Sequence, residues 1–188
     1  MAAYVNTFFE DRVQNLFALA DVVEKAFSAA GLDYAVVGGL ATYLYVEENL
    51  PDAGRLTRDI DIVVRRGDLN AIAQAVESYG LEYRHVAGVD MLIQKGQPAR
   101  RAVHMVFSGE KVREQYPEET PDMLPPRILH GVRLVPAKAL IRMKLSSFRL
   151  KDQMHLKDLD EAGVITPDIA EGLSPVHRNR LEQVRAAR

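Results

Sequence analysis

Asp59 and Asp61, in the run Arg58-Asp59-Ile60-Asp61-Ile62, are the residues of this chain whose type and spacing point most directly to chemistry. Side chains alternate between faces along a strand, so the two carboxylates share one face while Ile60 and Ile62 share the other. Adjacent carboxylates repel unless a cation joins them. Hard oxygen donors with open positions suit Mg²⁺ shared with substrate phosphates, and Mn²⁺ is the better match if a neutral imidazole joins the site. Upstream, Val36-Val37-Gly38-Gly39-Leu40 ends an apolar strand in a Gly pair that opens a helix. Free N–H groups there can meet a phosphate, and no Cβ blocks its approach. A lone Gly pair could equally serve tight helix–strand packing. Its coincidence with the two carboxylates reads as a metal–nucleotide site.

Four further residues have more than one reading each. Arg55 either binds phosphate or holds its loop through a carboxylate. Thr57 either belongs to the nucleotide site or caps backbone groups at the turn into the strand. Lys144 falls inside the apolar sector formed at 100° per residue by Ala137, Leu140, Ile141, Leu145 and Phe148. Its stem either snorkels to water or points its ammonium into a cleft to meet a triphosphate, with Arg149 nearby on the flank. His104, in Val103-His104-Met105-Val106-Phe107, shares a face with Ala102 and Val106. It is a core histidine, a metal ligand or a base.

A Gly-Gly turn followed by Asp-x-Asp on a strand resembles the polymerase-beta-like nucleotidyltransferase superfamily. Within it, Arg55-x-Thr57-x-Asp59-Ile60-Asp61 is similar to the nucleotidyltransferase toxins of abortive-infection and type IV toxin–antitoxin systems and their uncharacterised relatives. The resemblance resumes at Leu140–Leu145 and at Arg149-Leu150-Lys151-Asp152, and spans roughly residues 33–160. It implies an α/β (α+β) fold with a mixed sheet, an N-terminal helix and a C-terminal helical extension. It also implies metal at Asp59 and Asp61, nucleotide contacts at Gly38, Gly39, Arg55, Thr57, Lys144 and Arg149, and transfer of a nucleotidyl group from a nucleoside triphosphate to RNA, a protein or a small molecule. An antitoxin-like partner protein is part of that expectation. Where the family carries a third metal-binding carboxylate, this chain offers His104, which admits a catalytically degenerate relative that only binds nucleotide or protein. A metal-dependent glycosyltransferase would also use Asp-x-Asp, but the Gly-Gly turn and the small size argue against it.

The elements that must position these residues follow from pattern. Phe9, Val13, Leu16, Phe17, Ala20, Val23 and Phe27 recur at helical steps, so residues 5–30 read as an amphipathic helix stopped by Gly31. Strands are expected over 33–37, 60–64, 81–86, 91–94 and 102–107, the last two separated by Gly96-Gln97-Pro98. Helices are expected over 40–47 and over 69–79, the latter with Asp68 as N-cap. A Pro-punctuated run over 116–127 has no period and reads as a functional loop or a wrap over the core. A strand over 130–135 and a helix over 137–150 follow, then a helix over 153–161 with Asp152 as N-cap and a weaker helix from Pro167.

The 188 residues suffice for a proper core, divided here into a core with N-terminal helix over 1–135 and a helical extension over 136–188. Formal net charge is −2, unevenly spread: residues 1–126 carry 12 Lys and Arg against 19 Asp and Glu, whereas residues 127–188 carry 12 against 7. An acidic, metal-holding half beside a basic half suits a nucleotide enzyme, and a solvated basic helix face explains the charge equally well. The absence of Cys rules out disulfides and thiolate metal sites. With no signal pattern and no apolar run of spanning length, a cytoplasmic location is expected.

Overall fold

The computed structural model describes residues 2–96 and 102–187, with side chains from Val13 onward. The Phe9 side chain, Gln97 and Pro98 lie outside the described residues. Helix α1 (Ala2–Ala29) buries Leu16, Ala20, Val23 and Phe27, the face its periodicity predicts. Strand β1 (Ala35–Val37) runs directly into α2 (Gly38–Asn49), so the helix starts at the Gly pair rather than at Leu40. Strand β2 (Ile60–Val64) is followed by a 3-10 turn and α3 (Leu69–Glu77). Asp68 stands at the expected N-cap position of α3, where it also ends the 3-10 turn, but its side chain makes no cap bond. Strands β3 (Leu81–Val86), β4 (Val89–Gln94) and β5 (Val103–Phe107) complete one half of the sheet.

The sheet has seven strands in the order β3-β4-β5-β2-β1-β7-β6, where β6 is Arg127–Leu129 and β7 is Val132–Leu134. It is mixed: β2 runs parallel to β5 and β1 parallel to β7, while the other neighbours are antiparallel. The single strand expected over 130–135 is a hairpin. His130 (φ 50°) and Gly131 (φ 77°) form its two-residue turn, and positive φ at both central positions matches the right-handed twist of the flanking strands. Buried Ile60, Ile62, Val63 and Val64 mark β2 as a central strand, which explains its nearly continuous apolar run.

Beyond the sheet lie α4 (Ala137–Ser147), α5 (Leu150–Glu161), α6 (Pro167–Glu171) and α7 (Pro175–Ala186); α4 and α5 pack against α2 and each other. Helix α4 was expected to reach Leu150, but Phe148 adopts a left-handed conformation (φ 46°) and ends it. Helix α5 therefore begins at Leu150, three residues earlier than its pattern indicates. Asp152 is consequently not the N-cap: it sits inside the first turn, where its Oδ2 accepts from the Arg149 backbone N–H at 3.3 Å. The weak C-terminal helix is two helices, each opening with a Pro in its first turn.

Candidate functional site

The antiparallel pairing of β1 with β2 sets Val37 opposite Asp61, bringing the end of β1 to the carboxylate. Gly38 follows with φ 67°, a left-handed conformation that L side chains rarely adopt, and a Cβ there would overlap Asp61 Oδ2. A Cβ on Gly39 would come within 2.6 Å of Thr57 Oγ1. The Gly pair is therefore required by close approach of the Asp61 and Thr57 side chains to the start of α2. This places a carboxylate at the positive end of a helix.

Asp59 lies in the bend just before β2, not on the strand itself. Thr57 Oγ1 donates to the Asp59 carbonyl at 3.4 Å, so the hydroxyl shapes the turn that delivers the acid pair. The parallel register of β2 and β5 sets His104 beside Asp61, with Nδ1 3.5 Å from Asp61 Oδ1. Contact with Asp61 raises the His104 pKa above its ordinary value; burial opposes this and the Asp59 charge adds to it.

Opposite this edge stands the elbow between α4 and α5. Lys144 lies in the inward sector, and its side chain is 5% exposed, so it does not snorkel to water. Its Nζ is 3.5 Å from Asp152 Oδ1. Asp152 Oδ2 accepts from Arg149 Nε at 2.7 Å and from Ser147 Oγ at 2.7 Å. Burial pushes the Lys144 ammonium down, while Asp152 and Asp61 pull it back in part. Burial works to raise the Asp152 carboxyl, yet the bond from Arg149, the Lys144 charge and the Ser147 bond outweigh it, and the net shift is downward.

One open cavity of about 610 Å³ joins these groups, with Gly38, Asp61, His104, Lys144, Arg149 and Asp152 in its wall. Arg55, Thr57, Gly39 and Asp59 are not part of that wall. Arg55 Nε pairs with Asp158 Oδ2 at 2.8 Å, the loop-holding use among the two open to it. His155, one turn from Asp158, is buried and neutral: burial, reinforced by the Lys144 charge, brings its pKa down to about 3.

The fold raises the question of a metal, and the donor set answers it in part. Among the described residues, no group of three His, Cys, Asp or Glu side chains could cage an ion. Mg²⁺ in phosphate-handling sites is held by one or two carboxylates, with phosphate and water completing the shell. Of the acid pair only Asp61 stands in the cavity wall, with His104 Nδ1 3.5 Å from its Oδ1.

Pattern reading missed two wall residues, Tyr116 and Glu118. Glu118 accepts from Arg142 Nη2 at 2.6 Å and lies 3.2 Å from the ring of buried His177, whose other nitrogen contacts Ser146 Oγ at 2.9 Å. Tyr116 and Glu118 both belong to the aperiodic, Pro-rich run. Its isolation between periodic segments was the available signal, but it names no residue.

No protein-family profile and no curated protein sequence matches the chain. Solved structures do. The chain resembles an antigenic nucleotidyltransferase-like protein from Paracoccidioides brasiliensis at 19% identity and a TM-score of 0.60, over 95% of this chain and 89% of that one. It resembles the antibiotic-resistance factor ANT(2'')-Ia at 14% identity and a TM-score of 0.50, over 94% and 91% of the two chains. No helix among the described residues is long and apolar enough to cross a membrane. At these identities the likeness is one of fold: the mixed sheet with its helices is the fold of nucleotidyltransferase-like proteins.

Proposed function

We propose that this chain transfers a nucleotidyl group from a nucleoside triphosphate to a hydroxyl acceptor. The observation that carries the reading is the convergence, in one cavity, of Asp61 seated on the Gly38 start of α2 and of Lys144 and Arg149 on the facing elbow. Asp59 and Asp61 would hold Mg²⁺ or Mn²⁺, which when bound neutralises phosphate charge and acts as a Lewis acid. The chain's own groups do the rest. Lys144 and Arg149 receive charge that builds on the departing pyrophosphate, and they are preorganised to do so by Asp152. The acceptor oxygen attacks the α-phosphorus as the bond from that phosphorus to pyrophosphate breaks. His104, beside Asp61, is placed to hold a third ligand position or to take the acceptor proton.

The pattern from Arg55 to Asp61 supports a toxin-like member of the superfamily, with RNA or a protein as acceptor and an antitoxin-like protein as partner. A small-molecule acceptor is the alternative. A second reading, a nucleotide-binding relative without turnover, is favoured by an imidazole standing where a third carboxylate is expected. The test is incubation of the purified chain with each labelled nucleoside triphosphate, Mg²⁺ or Mn²⁺, and total RNA. Label on RNA or on protein supports transfer. Metal-dependent binding of nucleotide with no label transferred supports the second reading, and absence of both binding and transfer refutes the two together.

A further inference from the structure

The nucleotidyl-transfer reading assigns phosphates to the Asp61–Lys144–Arg149 end of the cavity and leaves the base without a seat. Besides the His104 imidazole beside Asp61, the aromatic rings of the cavity wall are those of Phe107 and Tyr116. Phe107 is only 6% exposed, and the Arg66 guanidinium covers its ring at 3.7 Å. Tyr116 is half-buried, and among the described residues its ring makes no aromatic or cation–π contact and its hydroxyl no hydrogen bond. It is also close to the phosphate end. The Arg149 guanidinium, held up mainly by its bond to Asp152, lies in the fields of both Tyr116 and Asp61.

The segment carrying Tyr116 is held in place. Its neck is closed by Gly109 N–H donating to the Thr120 carbonyl at 2.9 Å and Thr120 N–H donating to the Glu110 carbonyl at 2.8 Å. Glu110 is clamped by two bonds of 2.6 Å from Arg66. Two residues beyond the ring, Glu118 is anchored to Arg142 on α4 and rests against His177 on α7. Pro117 narrows the backbone freedom of Tyr116 itself. An unpartnered ring on a loop stapled at both shoulders, next to a phosphate-directed Arg, has the makings of a stacking platform. Stacking of a base on an aromatic face tolerates any base and loses little side-chain entropy when the ring is already held.

We propose that Tyr116 is the nucleobase-stacking residue of this cavity, a role that rests on the nucleotidyl-transfer reading. The experiment compares equilibrium binding of inorganic tripolyphosphate with that of ATP, GTP, CTP and UTP, in Mg²⁺, by wild type, Tyr116→Ala and Tyr116→Phe. Tyr116→Ala is expected to weaken the tightest nucleotide by roughly five- to a hundredfold while leaving tripolyphosphate unchanged. Tyr116→Phe should keep nucleotide affinity within about twofold, since the ring does the binding. Unchanged tripolyphosphate binding also certifies that the variants fold. Equal loss of nucleotide and tripolyphosphate in Tyr116→Ala, no loss of either, or a Phe variant as weak as the Ala variant would each overturn the assignment and leave the nucleotidyl reading standing. A wild type that binds neither nucleotide nor tripolyphosphate overturns both.

Discussion

On the helical wall of the cavity, Lys144, Asp152 and Arg149 satisfy one another: the Lys144 and Asp152 side chains are 5% and 3% exposed, and Asp152 is bonded by Arg149 and Ser147. On the sheet wall, Asp61 and His104 are 36% and 32% exposed. Burying a charge is costly unless a partner and hydrogen bonds compensate, so the helical cluster is part of what holds the chain folded. The sheet pair leaves lone pairs open to whatever enters the cavity. One wall is internally paired and buried; the other is partly open to the cavity.

Substitutions should separate the walls by what they damage. The largest effect is expected from Asp152→Ala, which strands Lys144 as a buried, unpaired cation and should cost about 3–5 kcal/mol in urea unfolding. A loss under about 1 kcal/mol would show that the helical wall is not structural. Asp61→Asn should do the reverse. Nucleotidyl transfer should fall at least about a hundredfold, near 2.7 kcal/mol of transition-state stabilisation, with unfolding changed by no more than about 0.5 kcal/mol. Retained transfer would remove Asp61 from the site.

The third expectation concerns pH. His155 is buried and neutral behind Lys144, with its pKa brought down to about 3 against an ordinary value near 6.5. Between those values the unfolded chain binds the extra proton, so stability is intact above about pH 6.5 and declines as pH falls toward 3. The slope is about 1.4 kcal/mol per pH unit, or about 2 kcal/mol between pH 6.5 and 5. His155→Gln should flatten that slope in denaturant titrations at several pH values. An unchanged slope would clear His155 as its source.

Smaller effects sharpen the ligand side of the comparison. Lys144→Ala should weaken triphosphate binding about tenfold or more, the worth of one charge-assisted contact, while Lys138→Ala on the exposed flank should leave it within about twofold. Calorimetric titration with the same nucleotide checks both, and equal small effects would mean a merely solvated basic helix. The smallest expected change is for His104→Asp, a several-fold gain in Mg²⁺-dependent transfer if His104 occupies a ligand position. Loss of transfer would mark it instead as the base, and an unchanged rate at normal stability would make it a bystander.

Parts of this site were legible because their signals are local. The helical period that turns Lys144 inward depends on backbone geometry within a few residues, whereas the strand alternation expected to align Asp59 with Asp61 does not reach Asp59, which lies in the bend before β2. Gly38-Gly39 was legible as a strand-to-helix turn but not as a necessity, since only the packed Asp61 and Thr57 side chains forbid a Cβ there. The break at Phe148 was hidden, because an aromatic residue in a left-handed conformation carries no helix-stop signal in the sequence. Arg55 reached its partner Asp158 across 103 positions, so no spacing could reveal which of its two uses held.

The sequence by itself determined the strand-to-helix turn at the Gly pair, the acid pair that follows it, the inward Lys144 and the α+β order of elements, because steric freedom and side-chain period act over one or two turns of chain. Only the tertiary structure decided that His104 stands in register with Asp61 and that Asp152 neutralises Lys144 and Arg149. The same is true of Tyr116, which a stapled loop brings into the cavity wall. Those relations join residues far apart in the chain. Desolvation and charge pairing take their value from the packed surroundings, which no local pattern encodes.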